Sequence, residues 1–178
     1  MNEPPLALPS RRLVGPLTGF GLGVAAVTCV LDQALKLWLL HGFDLEAKGV
    51  VALAPMVDLV LTRNPGISLG LFQHDSLAAR LLLIGVAVLA VVLLCLWLAR
   101  AQTRLTALAL GLIIGGAVGN GIDRLLYGWV VDFLLLYLTT AHGRWNWYVF
   151  NLADSAIVAG VIGLLYESLI RDHAAKAP

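Results

Sequence analysis

Four stretches of the chain are nearly free of charge and long enough to cross a bilayer. Leu13 to Leu31 is uncharged, Leu81 to Ala99 lies between Arg80 and Arg100, and Leu105 to Ile122 lies between Arg104 and Asp123. A fourth begins near Asn151 and closes near Glu167. A spanning helix needs about 20 mostly apolar residues. The pattern therefore predicts spans at about 13–40, 81–99, 105–122 and 151–170. Between them lie two segments of mixed character, 44–78 and 127–150. The first contains Val50-Val51-Ala52-Leu53 and Val57-Asp58-Leu59-Val60-Leu61-Thr62, whose β-branched content predicts short strands. The second contains Trp129-Val130-Val131 and Trp145-Asn146-Trp147-Tyr148, and such aromatic rings belong at a membrane–water boundary. The expected architecture is a mainly α membrane protein. Four transmembrane helices carry a small extracytoplasmic β-sheet lying at the membrane surface, as one domain over residues 1–178.

Composition agrees with this pattern. The chain is 60% hydrophobic and 13% charged, with a mean hydropathy of +0.87. Soluble domains are about 45–50% apolar and about 25% charged. A net charge of +1 without a basic run argues against nucleic-acid binding. Cys29 and Cys95 each sit in an apolar run and read as small core hydrophobes. His41, His74, His142 and His173 are scattered, and no zinc-ligand spacing occurs, so neither a metal nor a cofactor is expected. The stretch after Arg11-Arg12 is long for a signal peptide and reads as a retained first span.

Lys and Arg near the span ends set orientation. Arg11, Arg12, Arg100, Arg104, Arg171 and Lys176 fall on one side, whereas Lys48, Arg63, Arg80 and Arg144 are spread along the other. This predicts cytoplasmic termini. Small residues recur at helical spacing: Gly15, Gly19 and Gly23 in the first span, and Gly111, Gly115 and Gly119 in the third. Each stripe is expected to let another helix approach closely.

Two aspartates stand out against this apolar background. Asp132 lies in Gly128-Trp129-Val130-Val131-Asp132-Phe133, and Asp154 in Phe150-Asn151-Leu152-Ala153-Asp154-Ser155. A carboxylate at or near membrane depth is costly and points to a functional site. A pair of them can share one proton, which is the chemistry of aspartic proteases. Asn151 can cap the fourth span with Asp154 at the third helical position, as in a capping box. Asp132 is expected just after a strand, with no cationic neighbour in sequence. Other polar groups have two readings. Asp32 and Lys36, spaced i, i+4, can form an intrahelical ion pair or brace a catalytic loop. Asn64-Pro65-Gly66-Ile67-Ser68-Leu69-Gly70 has turn chemistry, and Asn64 can also hold an extended peptide. Asn120, inside the third apolar run, and Arg124 at its end can line a site, since an unpaired amide there is costly.

Taken together, these residues resemble the lipoprotein signal peptidase family, also called signal peptidase II. The family pattern D-Q-x-x-K is matched by Asp32, Gln33 and Lys36, and N-x-G by Asn64 and Gly66. The pattern G-N-x-x-D-R is matched by Gly119, Asn120, Asp123 and Arg124, and V-x-D-F by Val130, Asp132 and Phe133. F-N-x-A-D-S is matched by Phe150, Asn151, Ala153, Asp154 and Ser155. Each motif alone is weak, but five in order across four spans are specific. One departure is local: the family often has an aromatic shortly after N-x-G, where Leu69 stands here and Phe72 follows.

The resemblance implies an aspartic endopeptidase of the bacterial inner membrane, with its active site toward the outer face. Such an enzyme removes signal peptides from prolipoproteins, cutting just before a diacylglyceryl-modified cysteine. By the same transfer Asp132 and Asp154 are the catalytic pair. Asn64, Gly66, Asn120, Arg124 and Asn151 contact substrate or support the pair, and Asp32, Lys36 and Asp123 are structural support. Inhibition by the cyclic peptide globomycin is also implied.

Three alternatives remain open at this level. Membrane carboxylates also serve proton-coupled transport, although no internal repeat or broken helix pair is visible. Ser68 or Ser155 with Lys36 would make a serine–lysine protease. Asp123, in Gly119-Asn120-Gly121-Ile122-Asp123, would be catalytic in a different intramembrane aspartic protease.

Overall fold

A computed structural model describes residues 14–66 and 77–176. Arg11, Arg12, Ser68, Leu69 and Phe72, singled out in the sequence, lie outside the described residues, as do the side chains of Arg171 and Lys176. The elements in chain order are α1 (Thr18–Leu37), a π-helical turn (Trp38–Gly42), α2 (Leu45–Lys48), β1 (Val51–Ala54) and β2 (Val57–Asn64). They continue as α3 (Leu77–Leu98), α4 (Arg104–Leu126), β3 (Val130–Thr140), β4 (Gly143–Phe150) and α5 (Leu152–Lys176). Among the described residues four helices are long and apolar enough to cross a membrane.

Three helices run past the limits set by charge. α3 begins at Leu77 rather than 81, because Arg80 continues the helix and donates from Nη2 to the Leu125 carbonyl at 2.6 Å. α4 runs to Leu126 rather than 122, because Asp123 and Arg124 both find partners inside the fold. α5 extends beyond 170 to Lys176. α1 ends at Leu37, and the π-helical turn carries the chain on to Gly42. Charge marks a helix end only where the charged group must seek water; paired charges continue the helix.

α4 is the most enclosed helix. Ala107, Leu110 and Ile114 form an apolar cluster with Ala25 of α1, with Leu98 at the end of α3 and with Ala101 just beyond it. Its N-terminus is capped by Thr103, whose Oγ1 accepts from Thr106 N at 3.0 Å. The hydroxyls of Thr103 and Thr106 both donate to the Glu167 carboxylate, which fastens α5 to the same end. α3 buries only Leu98 and otherwise presents Leu and Val outward, as a lipid-facing helix must.

The glycine stripes divide. A Cβ on Gly111 would lie 2.5 Å from the Gly21 carbonyl oxygen, and one on Gly115 would lie 2.5 Å from that of Ala25. The α4 stripe is thus the contact for α1. The stripe expected on the first span holds only at Gly15, before α1, where a Cβ would lie 2.3 Å from the Ala99 carbonyl oxygen; among the described residues nothing comes within 4 Å of a Cβ on Gly19 or Gly23. The buried face of α1 is Thr18, Gly21, Ala25, Thr28, Asp32 and Lys36. Steps of three or four residues keep this row on one side of α1, and Gly19 and Gly23 fall outside it.

The strands form one antiparallel sheet in the order β1-β2-β3-β4. Val131 and Phe133 of β3 pack with Leu39 of the π-helical turn, Leu45 of α2 and Leu59 of β2. The far end of the sheet is open, with Trp145 73%, Trp147 67% and Tyr148 53% exposed.

Candidate functional site

Strand alternation directs Asp132. Val131 and Phe133 occupy the face that meets Leu39 and Leu45, so Asp132 between them points the other way, toward the helices. Asp132 is inside β3, not after a strand as its sequence context suggested, and it is 2% exposed. Thr62 is its direct partner on β2 and Asn64 pairs Val130, which makes Asn64 its diagonal neighbour. Asn64 Nδ2 donates to Asp132 Oδ2 at 2.9 Å. Asn64 Oδ1 accepts from Gly66 N at 3.1 Å, so the predicted turn fixes this amide.

The head of α5 brings the second aspartate. Asp154 N donates to Asn151 Oδ1 at 2.9 Å, and Asn151 N donates to Asp154 Oδ2 at 3.3 Å. This is the reciprocal capping box. The same Asn151 also reaches the other aspartate, donating from Nδ2 to Asp132 Oδ1 at 2.7 Å. One buried asparagine therefore touches both carboxylates. Asn120 of α4 supplies a third hold, from Nδ2 to Asp154 Oδ1 at 2.8 Å.

Asp132 carries the proton more readily than an ordinary aspartate. Burial pushes its pKa from 3.8 up to about 7, and the charge of Asp154 pushes the same way. The amide donors of Asn64 and Asn151 oppose this without cancelling it.

Beneath the two aspartates lies a buried ionic cluster. Lys36 Nζ is 2.7 Å from Asp32 Oδ2, 2.7 Å from Asp123 Oδ2 and 3.0 Å from Asn120 Oδ1. Asp32 and Lys36 thus do form the i, i+4 pair, but in the interior, where Asp123 of α4 joins them. Asp123 Oδ2 also accepts from Val131 N at 3.1 Å, and Asp32 Oδ1 from Ala153 N at 3.0 Å. The cluster therefore pins both the strand bearing Asp132 and the helix turn bearing Asp154. Gln33 completes it, donating from Nε2 to Asp123 Oδ1 at 2.8 Å and to the Gly119 carbonyl at 3.1 Å. The sequence reading gave Gln33 no role in the site; its signal was an amide in an otherwise apolar span, one residue from Asp32.

Arg124 lies on the rim. Its Nη1 donates to the Asn120 carbonyl at 3.3 Å and its Nη2 to the Gly66 carbonyl at 3.0 Å, while its buried Nε has no partner among the described residues. All ten residues proposed from the sequence fall into this one network. The other chemistries find less support. The three N–H donors of Lys36 are all engaged, and Ser155 Oγ donates to the Asn151 carbonyl. Asp123 is fully buried and already accepts from Lys36, Gln33 and Val131 N.

Asp154 is half-buried and borders an apolar groove of about 590 Å³ between β4 and α5. Leu136, Trp147, Phe150, Val158 and Ile162 line it. The arrangement is two adjacent carboxyl groups, one able to hold a proton at neutral pH, beside an apolar channel.

Known proteins resemble this chain in sequence and in fold. A protein of Nitrobacter hamburgensis named lipoprotein signal peptidase is 55% identical over 158 residues, covering 89% of this chain and 96% of that one. One of the same name from Rhodopseudomonas palustris is 54% identical over 164 residues, covering 91% of this chain and 100% of that one. Two solved bacterial membrane enzymes share the fold. One has a TM-score of 0.71 at 24% identity, covering 89% of this chain and 92% of that one. The other has a TM-score of 0.70 at 22% identity, covering 89% and 97%. The family model for signal peptidase (SPase) II matches residues 24–170, from mid α1 into α5 and so through every site residue named above, and the chain belongs to that family of membrane peptidases.

Proposed function

We propose that this chain is an aspartic endopeptidase that removes signal peptides from diacylglyceryl-modified prolipoproteins, cutting just before the lipid-modified cysteine. The observation that carries the reading is the pair Asp132 and Asp154, both held by Asn151. The names of the relatives supply the substrate class.

The raised affinity of Asp132 for its proton makes it the acid of the pair. Asp154 takes a proton from water, whose oxygen bonds to the scissile carbonyl carbon. Asp132 gives its proton to the carbonyl oxygen, leaving a neutral gem-diol. The C–N bond then breaks: the amide nitrogen takes the proton from Asp154, and one diol hydroxyl returns a proton to Asp132. Both groups end as they began. Arg124 and Asn64 stand at the rim to hold the extended peptide, with Gly66 between them. The lipid chains contribute membrane affinity and need never leave the bilayer.

The orientation that fits is cytoplasmic termini in a bacterial inner membrane, with the sheet and the two aspartates at the outer surface. Charge supports this, with Arg100 and Arg104 at the opposite end of the bundle from Asp132. Inhibition by globomycin is expected on the same reading.

The test is cleavage of a diacylglyceryl-modified prolipoprotein by purified wild type, Asp132→Asn and Asp154→Asn. Wild-type cleavage lost in both folded variants is the expected result. Full activity in either variant would overturn the assignment of the pair, and no cleavage by wild type would overturn the peptidase reading of this substrate.

A further inference from the structure

The ammonium of Lys36 has three N–H donors and, among the described residues, two carboxylate partners; its third contact is to a neutral amide, Asn120 Oδ1 at 3.0 Å. Asn151 Nδ2 donates to the same oxygen, also at 3.0 Å. The two ends of a carboxamide are almost equal in shape, so packing alone does not choose between its orientations. Hydrogen bonds do. With Oδ1 held by a cation and a second donor, Nδ2 of Asn120 is left facing Asp154 Oδ1 at 2.8 Å. The flipped amide would set oxygen against the Asp154 oxygen and NH2 against an ammonium.

We infer that Lys36 is a positioning residue for the reaction, acting through Asn120 by locking that carboxamide in the orientation that donates to Asp154. The inference rests on the aspartic reading above and adds to it. A purely structural lysine would neutralise Asp32 and Asp123 and leave the chemistry alone. This one instead reaches, through one amide, a carboxylate that meets the water. Arg124, also close by, bonds the Asn120 backbone carbonyl rather than its side chain, whose oxygen is held by Lys36 and Asn151.

A double-mutant cycle tests this, with kcat and KM read separately for wild type, Lys36→Met, Asn120→Ala and the double variant. A small misplacement of a reacting group can cost about 100-fold. Lys36→Met is expected to lower kcat by about that factor with KM changed by less than about twofold. In the Asn120→Ala background it is expected to lower kcat no further. Independent losses that multiply would overturn the inference. Because Lys36→Met strands two carboxylates, Asn120→Asp provides a second route: it gives Lys36 a better partner yet presents oxygen to Asp154. It should fold and lose kcat to a similar extent, and wild-type kcat in Asn120→Asp would overturn the inference. Asp132→Asn and Asp154→Asn run alongside. If either remains active, the aspartic reading itself fails; if both are inactive and the cycle is additive, only the role of Lys36 fails.

Discussion

Asn64 and Asp132 meet diagonally across two strands, with Nδ2 of the first 2.9 Å from Oδ2 of the second. This contact lowers the proton affinity of a carboxyl that burial raises. Removing it has a definite sign. Asn64→Ala should raise the pKa of Asp132 above about 7, so the alkaline limb of kcat/KM moves to higher pH while kcat falls. A pH–rate profile of the purified variant checks this. An unmoved or acid-shifted limb would separate Asn64 from the protonation of Asp132.

The same shift links pH to stability. The folded pKa of Asp132, about 7, lies above its ordinary 3.8. The folded state therefore binds this proton more tightly. The stabilisation is fully present below about pH 4 and is lost as pH rises through about 7. Asp132→Asn cannot titrate, so its stability relative to wild type should improve on going from pH 5 to pH 8, by on the order of 2 kcal/mol. Reversible unfolding in detergent at the two pH values measures the difference. A constant gap between the proteins would contradict the raised pKa.

Asp123 separates support from catalysis. It accepts from Lys36, Gln33 and Val131 N, so Asp123→Ala leaves a buried lysine short of a partner and frees the start of β3. Breaking a buried ion pair costs about 3–5 kcal/mol. Asp123→Ala should unfold near or below the working temperature, whereas Asp123→Asn, which keeps an acceptor, should fold and retain measurable cleavage. Cleavage abolished in folded Asp123→Asn but preserved in Asp132→Asn would make Asp123 catalytic and reverse the assignment.

The site was legible because charge is scarce in this chain. Asp32, Lys36, Asn120, Asp132 and Asp154 interrupt apolar runs, and a polar group there needs a partner. The motifs supplied the names of the partners, and the capping box of Asn151 followed from its spacing to Asp154 alone. The second task of Asn151, bonding Asp132 at 2.7 Å, depends on how β3 docks on α5, which local sequence does not encode. Gln33 is hidden for the same reason: its acceptors lie on α4, distant in the chain. The π-helical turn at Trp38–Gly42 leaves no signature in the hydrophobic period. Helix ends and the charges that bound the apolar runs part company at Arg80, Asp123 and Arg124, which are held within or against helices.

The glycines give a prediction in which spacing and contact disagree. By spacing, Gly15, Gly19 and Gly23 in the first predicted span and Gly111, Gly115 and Gly119 on α4 are equivalent stripes. By contact they differ: Gly15 is closed by the Ala99 backbone and the α4 row by α1, whereas Gly19 and Gly23 are open among the described residues. A methyl group on Gly115 would sit 2.5 Å from the Ala25 carbonyl oxygen and 2.7 Å from Thr28 Cβ, both on a facing helix that can yield only by moving away. Overpacking of this kind costs about 1–3 kcal/mol. The displacement would also pull Asp32 from Ala153 N, since Asp32 follows Thr28 by one turn on the same buried face of α1. Gly115→Ala should therefore lose both stability and kcat. A Cβ on Gly19 or Gly23 would meet nothing within 4 Å among the described residues, so alanine there adds helix propensity without a clash and should stabilise by about 0.5–1 kcal/mol. Thermal unfolding of the three alanine variants in one detergent decides it. A destabilised Gly19→Ala would mean that another helix covers that face of α1.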